Sequence, residues 1–155
     1  MRQINSAATF MSNRKPYNDI IMDHIRNVRN YRVMNNPSHQ GEAVNALCGD
    51  TFGVYLRMRE DVIDEISFQC ECCGISMASA SVMSEWLRGK RRADALATKA
   101  AFVTAISARA ESLAGDLHPD SLALLQQVRA TPGRDGCAVL AWSALESALA
   151  PNNNS

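Results

Sequence analysis

The sequence predicts an α+β domain, a small antiparallel β-sheet with helices packed on one face. Two adjoining segments, "TFGVYLRMRE" and "DVIDEISF", alternate apolar and polar residues. That period of two marks strands with one buried face. An apolar pattern of helical period precedes them and further helical patterns follow.

Residues 1–15 show no periodicity and read as a loose lead-in. From Pro16 a helix is predicted: Tyr17, Ile20, Ile21, His24, Ile25 and Val28 share one face, and proline suits a first turn. The run "NNPSHQG" breaks it, and a short strand is expected at 42–45. Phe52, Val54, Leu56 and Met58 line one face of the next strand. Val62, Asp64, Ile66 and Phe68 do so after a turn at Glu60-Asp61, with Asp64 the polar exception. Ser76 is the expected N-cap of a helix carrying Met83, Trp86 and Leu87 and ending at Gly89. Another helix is predicted over 93–114, with Leu96, Ala100, Val103, Ile106, Ala110 and Leu113 at core spacing and Gly115 as its stop. A short helix at 120–130, the loop "TPGRDG", and a final helix at 138–149 follow. Residues 16–150 are thus expected to form one domain, with 151–155 a frayed tail. No internal repeat is present.

At 155 residues the chain can bury a core without covalent staples. Sixteen basic and sixteen acidic residues cancel, so no global field draws it to nucleic acid or to a membrane. No apolar run approaches the roughly 18 residues of a membrane span. The N-terminus lacks an apolar signal core; Arg2, Arg14 and Lys15 before the first acid, Asp19, are only a weak transit-peptide feature. A cytoplasmic location is expected. Five cysteines, an odd number in a chain of this length, argue against a secreted disulfide framework. Clustered cysteines in a reducing compartment point to metal or sulfur chemistry.

Three of them fall in four positions, "CECC" from Cys70 to Cys73. A disulfide between the adjacent Cys72 and Cys73 would be strained, and a Cys70–Cys72 link is expected to be tight. The bland alternative is that each is a small buried hydrophobe. A metal needs ligands from separate elements. "LCGD" offers Cys48 and Asp50, two residues apart at a strand start, with Gly49 allowing a tight bend. Cys73 precedes a helix and Cys137 begins another, where backbone N–H groups favour thiolate. Three thiolates and one carboxylate suit a tetrahedral ion, with Zn–S near about 2.3 Å. Spacing alone does not select this arrangement.

"LCGD", "CGISMASASVM" and "RDGCAVLAWSALE", in that order, resemble the U-type iron–sulfur cluster assembly proteins: IscU, the NifU N-terminal domain and especially SufU. "IIMDHIRNVRN" resembles that family's first helix, so the likeness runs from about Tyr17 to Leu149. It implies the SufE/NifU-like fold. It implies the ligands Cys48, Asp50, Cys73 and Cys137, with Cys48 accepting persulfide sulfur from a cysteine desulfurase. Arg134, in an "R-x-x-C" arrangement with Cys137, corresponds to a SufU arginine near the site, able to pair with Asp50. The implied cofactor is zinc, or iron in a transient iron–sulfur cluster. The implied partners are the desulfurase and downstream cluster carriers or apo-acceptor proteins, with no nucleic acid and no membrane.

The chain departs from the family pattern at three places. Cys70 and Cys72 replace glycines before the middle cysteine and stand as accessory thiols, Cys72 competing with Cys73 as ligand. Ala46 and Val28 replace prolines. Asp50, the hard ligand among soft sulfurs, is expected to leave or exchange with Arg134 when a partner docks. His24 is expected to be a packed histidine, the "RGKRR" run a surface patch, and Met77, Met83, Trp86 and Trp142 packing residues. The expected function is a sulfur-accepting assembly scaffold rather than an enzyme. The alternatives are a SufU-like zinc-bound carrier that activates the desulfurase as a zinc-dependent sulfurtransferase, and a structural zinc interaction module.

Overall fold

The structure, a computed structural model, describes residues 17–47, 49–113 and 115–150. The lead-in, Pro16, Cys48 and the tail lie outside the described residues. The element order is α1 (Asp19–Arg26), β1 (His39–Asn45), β2 (Asp50–Arg59), β3 (Val62–Glu71), α2 (Gly74–Leu87), α3 (Arg92–Ser107), α4 (Ser121–Arg129) and α5 (Asp135–Leu149). The strands form one antiparallel sheet in the order β1-β2-β3. This is the expected α+β class, with helices over one sheet face.

Helix α1 is shorter than predicted. Asn18 caps it by accepting from Ile21 N–H at 2.9 Å, and also donates to Ala123 O at 3.0 Å, tying α1 to α4. In β2 the buried set is Phe52, Val54 and Leu56, as alternation requires. In β3 the pattern slips. Arg57 pairs with Glu65 but Met58 pairs with Ile63, leaving Asp64 as the extra residue of a bulge. The bulge turns Ile63 rather than Val62 into the core, which explains why Asp64 broke the alternation.

Helix α2 is buried nearly all round, and its composition follows from that position. It touches β3, α1, α4 and α5, so small residues are needed on several faces. Its serines keep their hydroxyls bonded inside the core: Ser79 to Ala138 O at 2.5 Å, and Ser84 to Ser81 O at 2.8 Å. Helix α5 lies directly on β1. A Cβ at Gly41 would run into the backbone of Ala144 and Ala148, so only glycine allows this approach.

The boundaries of α2 and α3 also correct the sequence expectation. α2 starts at Gly74 with Cys73 as N-cap, so Ser76 lies inside it. α3 stops at Ser107, not near Gly115. Arg109 sits at φ 53°, with Arg109 N–H on Ile106 O and Ala110 N–H on Ala105 O. That is a Schellman stop with arginine where glycine is usual. Its guanidinium offsets the strain through Arg129 O at 2.7 Å and the Asp135 carboxylate at 3.2 Å.

Candidate metal and sulfur site

Asp50 opens β2 and follows Phe52 and Val54 onto the helix-covered face, where it is 6% exposed. Cys73 is the N-cap of α2, and Cys137 lies in the first turn of α5, which starts three residues earlier than expected. One ligand atom from each of Asp50, Cys73 and Cys137 lies within 4.8 Å of the other two. Three of the four expected ligands therefore converge. Cys48, the fourth, is outside the described residues. Beside it Gly49 takes φ 77°, which suits glycine, and its N–H donates to Asn45 O at 2.8 Å.

Ser76 is the residue that sequence reasoning misplaced. Its hydroxyl is 2.9 Å from Asp50 Oδ2, 3.0 Å from Cys137 O and 3.5 Å from Cys73 Sγ. It thus holds the carboxylate between the two helix starts. The usable signal was its spacing: three residues after Cys73 is one helical turn, hence the same face.

The electrostatics favour thiolate. Burial pushes the Cys73 thiol up, but the Ser76 hydroxyl and backbone N–H, the Cys137 thiol and the Ile75 backbone N–H together outweigh it. The result lies below the ordinary thiol value. Those backbone donors are the unpaired N–H groups of a helix N-terminus. Arg134, the N-cap of α5, places Nη1 3.8 Å from Cys137 Sγ. The sequence expectation paired it with Asp50; the structure gives it the sulfur. Its pKa is raised by the hydrogen bond to Cys137, then by the charges of Cys73 and Cys137.

The accessory cysteines are also corrected. Cys70 and Cys72 are joined by a disulfide, with Cα atoms 5.6 Å apart, within the favoured range. Cys70 lies in β3 and Cys72 just past its end, with Glu71 between them. Cys72 is thus not a thiol competing with Cys73 here.

A second group passes the same distance test: His24, Glu85 and Asp120. Fully buried His24 places Nδ1 2.8 Å from Ser81 Oγ and Nε2 2.7 Å from Asp120 Oδ2. Both ring nitrogens are engaged, as expected of a packed histidine. Trp86, Met83 and Trp142 are core residues, also as expected.

Two thiols and a carboxylate at paired helix N-termini form a donor set suited to zinc or iron. Among the described residues no helix is long and apolar enough to cross a membrane.

The chain is 35% identical over 139 residues to the zinc-dependent sulfurtransferase SufU of Bacillus subtilis, covering 86% of this chain and 89% of that protein. It is 33% identical over 126 residues to the iron–sulfur cluster assembly scaffold protein IscU of Streptococcus pyogenes, covering 76% and 78%. The crystal structure of FiSufU from Fervidobacterium islandicum AW-1 superposes with a TM-score of 0.72 at 26% identity, covering 86% of this chain and 96% of that one. The model of the NifU-like N terminal domain matches residues 16–154. A site built on the starts of α2 and α5, and a match spanning both, make this chain a member of the NifU-like N-terminal domain family.

Proposed function

We propose that the chain is a sulfur-accepting protein of iron–sulfur cluster assembly, holding a metal through Cys48, Asp50, Cys73 and Cys137. Cys48 takes the persulfide sulfur from a cysteine desulfurase. The observation that carries this is the convergence of Asp50, Cys73 and Cys137 within 4.8 Å at two helix starts. When bound, the metal keeps its cysteines deprotonated at neutral pH. The chain's own groups do the rest. Ser76 fixes the Asp50 carboxylate, and Arg134 supports the Cys137 thiolate. Leu47, fully exposed beside Cys48, offers an apolar contact to the docking desulfurase.

Two versions of this function differ in cargo. In one the site assembles a cluster for downstream carriers or apo-acceptor proteins. In the other it holds zinc permanently and only passes sulfur on. Arg134 beside Cys137, in the R-x-x-C spacing, favours the zinc version, as does the 35% identity to a zinc-dependent sulfurtransferase. The test is metal and acid-labile sulfide analysis of protein purified without air, then persulfide mapping after incubation with a cysteine desulfurase and cysteine. One zinc per chain, no labile sulfide and persulfide on Cys48 support the carrier. Iron with matching sulfide supports the scaffold. Absence of metal and of persulfide overturns both.

A further inference from the structure

The Cys70–Cys72 disulfide is not needed to hold the fold. It links positions two apart, Cys70 within β3 and Cys72 just past its end at Glu71. A loop this short constrains the unfolded chain little. Its location is more informative. Cys72 is bonded through the main chain to Cys73, the N-cap of α2. Phe52 faces Cys70 across the β2–β3 ladder. Asp50 stands two residues before Phe52, so strand alternation puts Asp50 and Cys70 on the same side of the sheet. The disulfide thus borders the converging ligands. Both cysteines are half-buried, and Cys70 Sγ rests 3.9 Å from Met77 Sδ on α2.

The proposed function leaves an electron requirement unmet. Persulfide sulfur is sulfane sulfur, formally S⁰, whereas a cluster contains sulfide. Each sulfur needs two electrons. A pair of thiols next in the chain to the Asp50, Cys73 and Cys137 cluster supplies that number and becomes one disulfide.

We propose that Cys70 and Cys72 are a redox-active dithiol that reduces the sulfur accepted at this site to sulfide, the disulfide being its spent form. This rests on the sulfur-accepting function proposed above. The Cys72 thiolate attacks the outer sulfur of the persulfide, and the Cys48 thiolate leaves. The Cys70 thiolate then attacks Cys72 Sγ, forming the disulfide and expelling hydrosulfide with both electrons of the broken S–S bond. In sum, one persulfide and two thiols give one thiol, one hydrogen sulfide and one disulfide. An external dithiol reductant restores the pair by ordinary exchange. Cys72 acts as receiver because it adjoins the ligand segment, and Cys70 as resolver.

The test uses zinc-loaded, prereduced full-length protein freed of small thiols, loaded either with a cysteine desulfurase and cysteine or with glutathione persulfide. Sulfide release and the location of each sulfur are read by colorimetry and mass spectrometry. Wild type is expected to release one sulfide per chain without added reductant, with concurrent formation of the Cys70–Cys72 disulfide. Cys70→Ser should trap the persulfide on Cys72 and Cys72→Ser should leave it on Cys48, each reducing sulfide release at least about tenfold while keeping one zinc per chain. If Cys48 becomes persulfidated but wild type and both variants release sulfide equally, the dithiol idea fails and the acceptor function stands. If the desulfurase yields neither persulfide on wild type and the variants nor released sulfide, both fail. Glutathione persulfide tests the dithiol without the desulfurase. Oxidation of Cys70 and Cys72 with stoichiometric sulfide supports the proposal, and its absence overturns it.

Discussion

Two side-chain clusters along α2 satisfy the same distance criterion for a metal, yet they are chemically opposite. At the start of α2, Asp50, Cys73 and Cys137 bring one carboxylate and two sulfurs together at two helix N-termini. Further along, His24 is bonded on both ring nitrogens, to Ser81 and Asp120. Ser81 also receives the Arg29 N–H at 3.0 Å, and the Arg29 guanidinium lies 3.7 Å from Glu85. An ion entering there would break both bonds that hold the fully buried His24 ring. An ion entering the first site would replace the Cys73 thiol proton, which the start of α2 already makes easier to lose. Proximity of ligand-type atoms is therefore a weak criterion; what the atoms are already bonded to decides.

The largest expected effect separates the clusters directly. Cys73→Ala and Cys137→Ala should each weaken zinc binding by more than about 100-fold, since loss of an inner ligand exceeds the cost of losing an outer partner. His24→Gln and Glu85→Gln should leave metal content unchanged. Competition with a chromophoric chelator reads both. Metal loss in the His24 or Glu85 variants, with retention in the cysteine variants, would reverse the assignment.

The converse effect is on stability. His24→Ala should cost about 2–4 kcal/mol, because Ser81 and Asp120 then lose a partner in a mostly buried place. Urea unfolding of the zinc-loaded protein measures it, and metal stoichiometry should remain one. A cost below about 0.5 kcal/mol would make this network dispensable.

Ser76 sharpens the contrast, since both clusters use a serine of the same helix. Ser76→Ala removes the hydroxyl that steadies the Asp50 carboxylate, 2.9 Å away. It should weaken zinc binding by about 10–100-fold. Ser81→Ala should leave zinc affinity alone and lower stability instead. Equal zinc affinity in wild type and Ser76→Ala would reduce Ser76 to packing.

Much of this was legible in the sequence, and the gaps have physical causes. The hairpin was visible because one sheet face is buried, so Phe52, Val54 and Leu56 alternate cleanly. Its one irregularity, Asp64, marked a bulge that alternation cannot express. The start of α2 was misplaced because a helix buried on several sides shows no single apolar stripe, and Ser76 looked like a cap. The end of α3 was hidden because arginine, not glycine, takes the left-handed position at 109. Motifs in the sequence pointed to Asp50, Cys73 and Cys137, which converge, but the contacts of Ser76 depend on how α2 and α5 meet. Likewise, Cys70 and Cys72 were read as accessory thiols because a link between positions two apart was expected to be tight, whereas their Cα atoms stand 5.6 Å apart.

The smallest expected effect concerns charge at the site. In the metal-free protein Cys73 ionises below the ordinary thiol value of 9.0. A thiol with a lowered folded-state pKa contributes stability that is fully present above its unfolded pKa and lost as pH falls through the folded one. Metal-free protein should therefore gain thermal stability as pH rises across that interval, and Cys73→Ser should abolish the gain. Arg134 contributes through the same linkage, because the thiolates that raise its pKa are themselves favoured by its charge. Its side chain is exposed, so salt and solvent weaken this influence. Arg134→Gln should shift the pH midpoint of Cys73 alkylation by iodoacetamide upward, and the shift should shrink at high salt. A downward shift, or one insensitive to salt, would show that Arg134 acts through the geometry of the α5 start rather than through its charge.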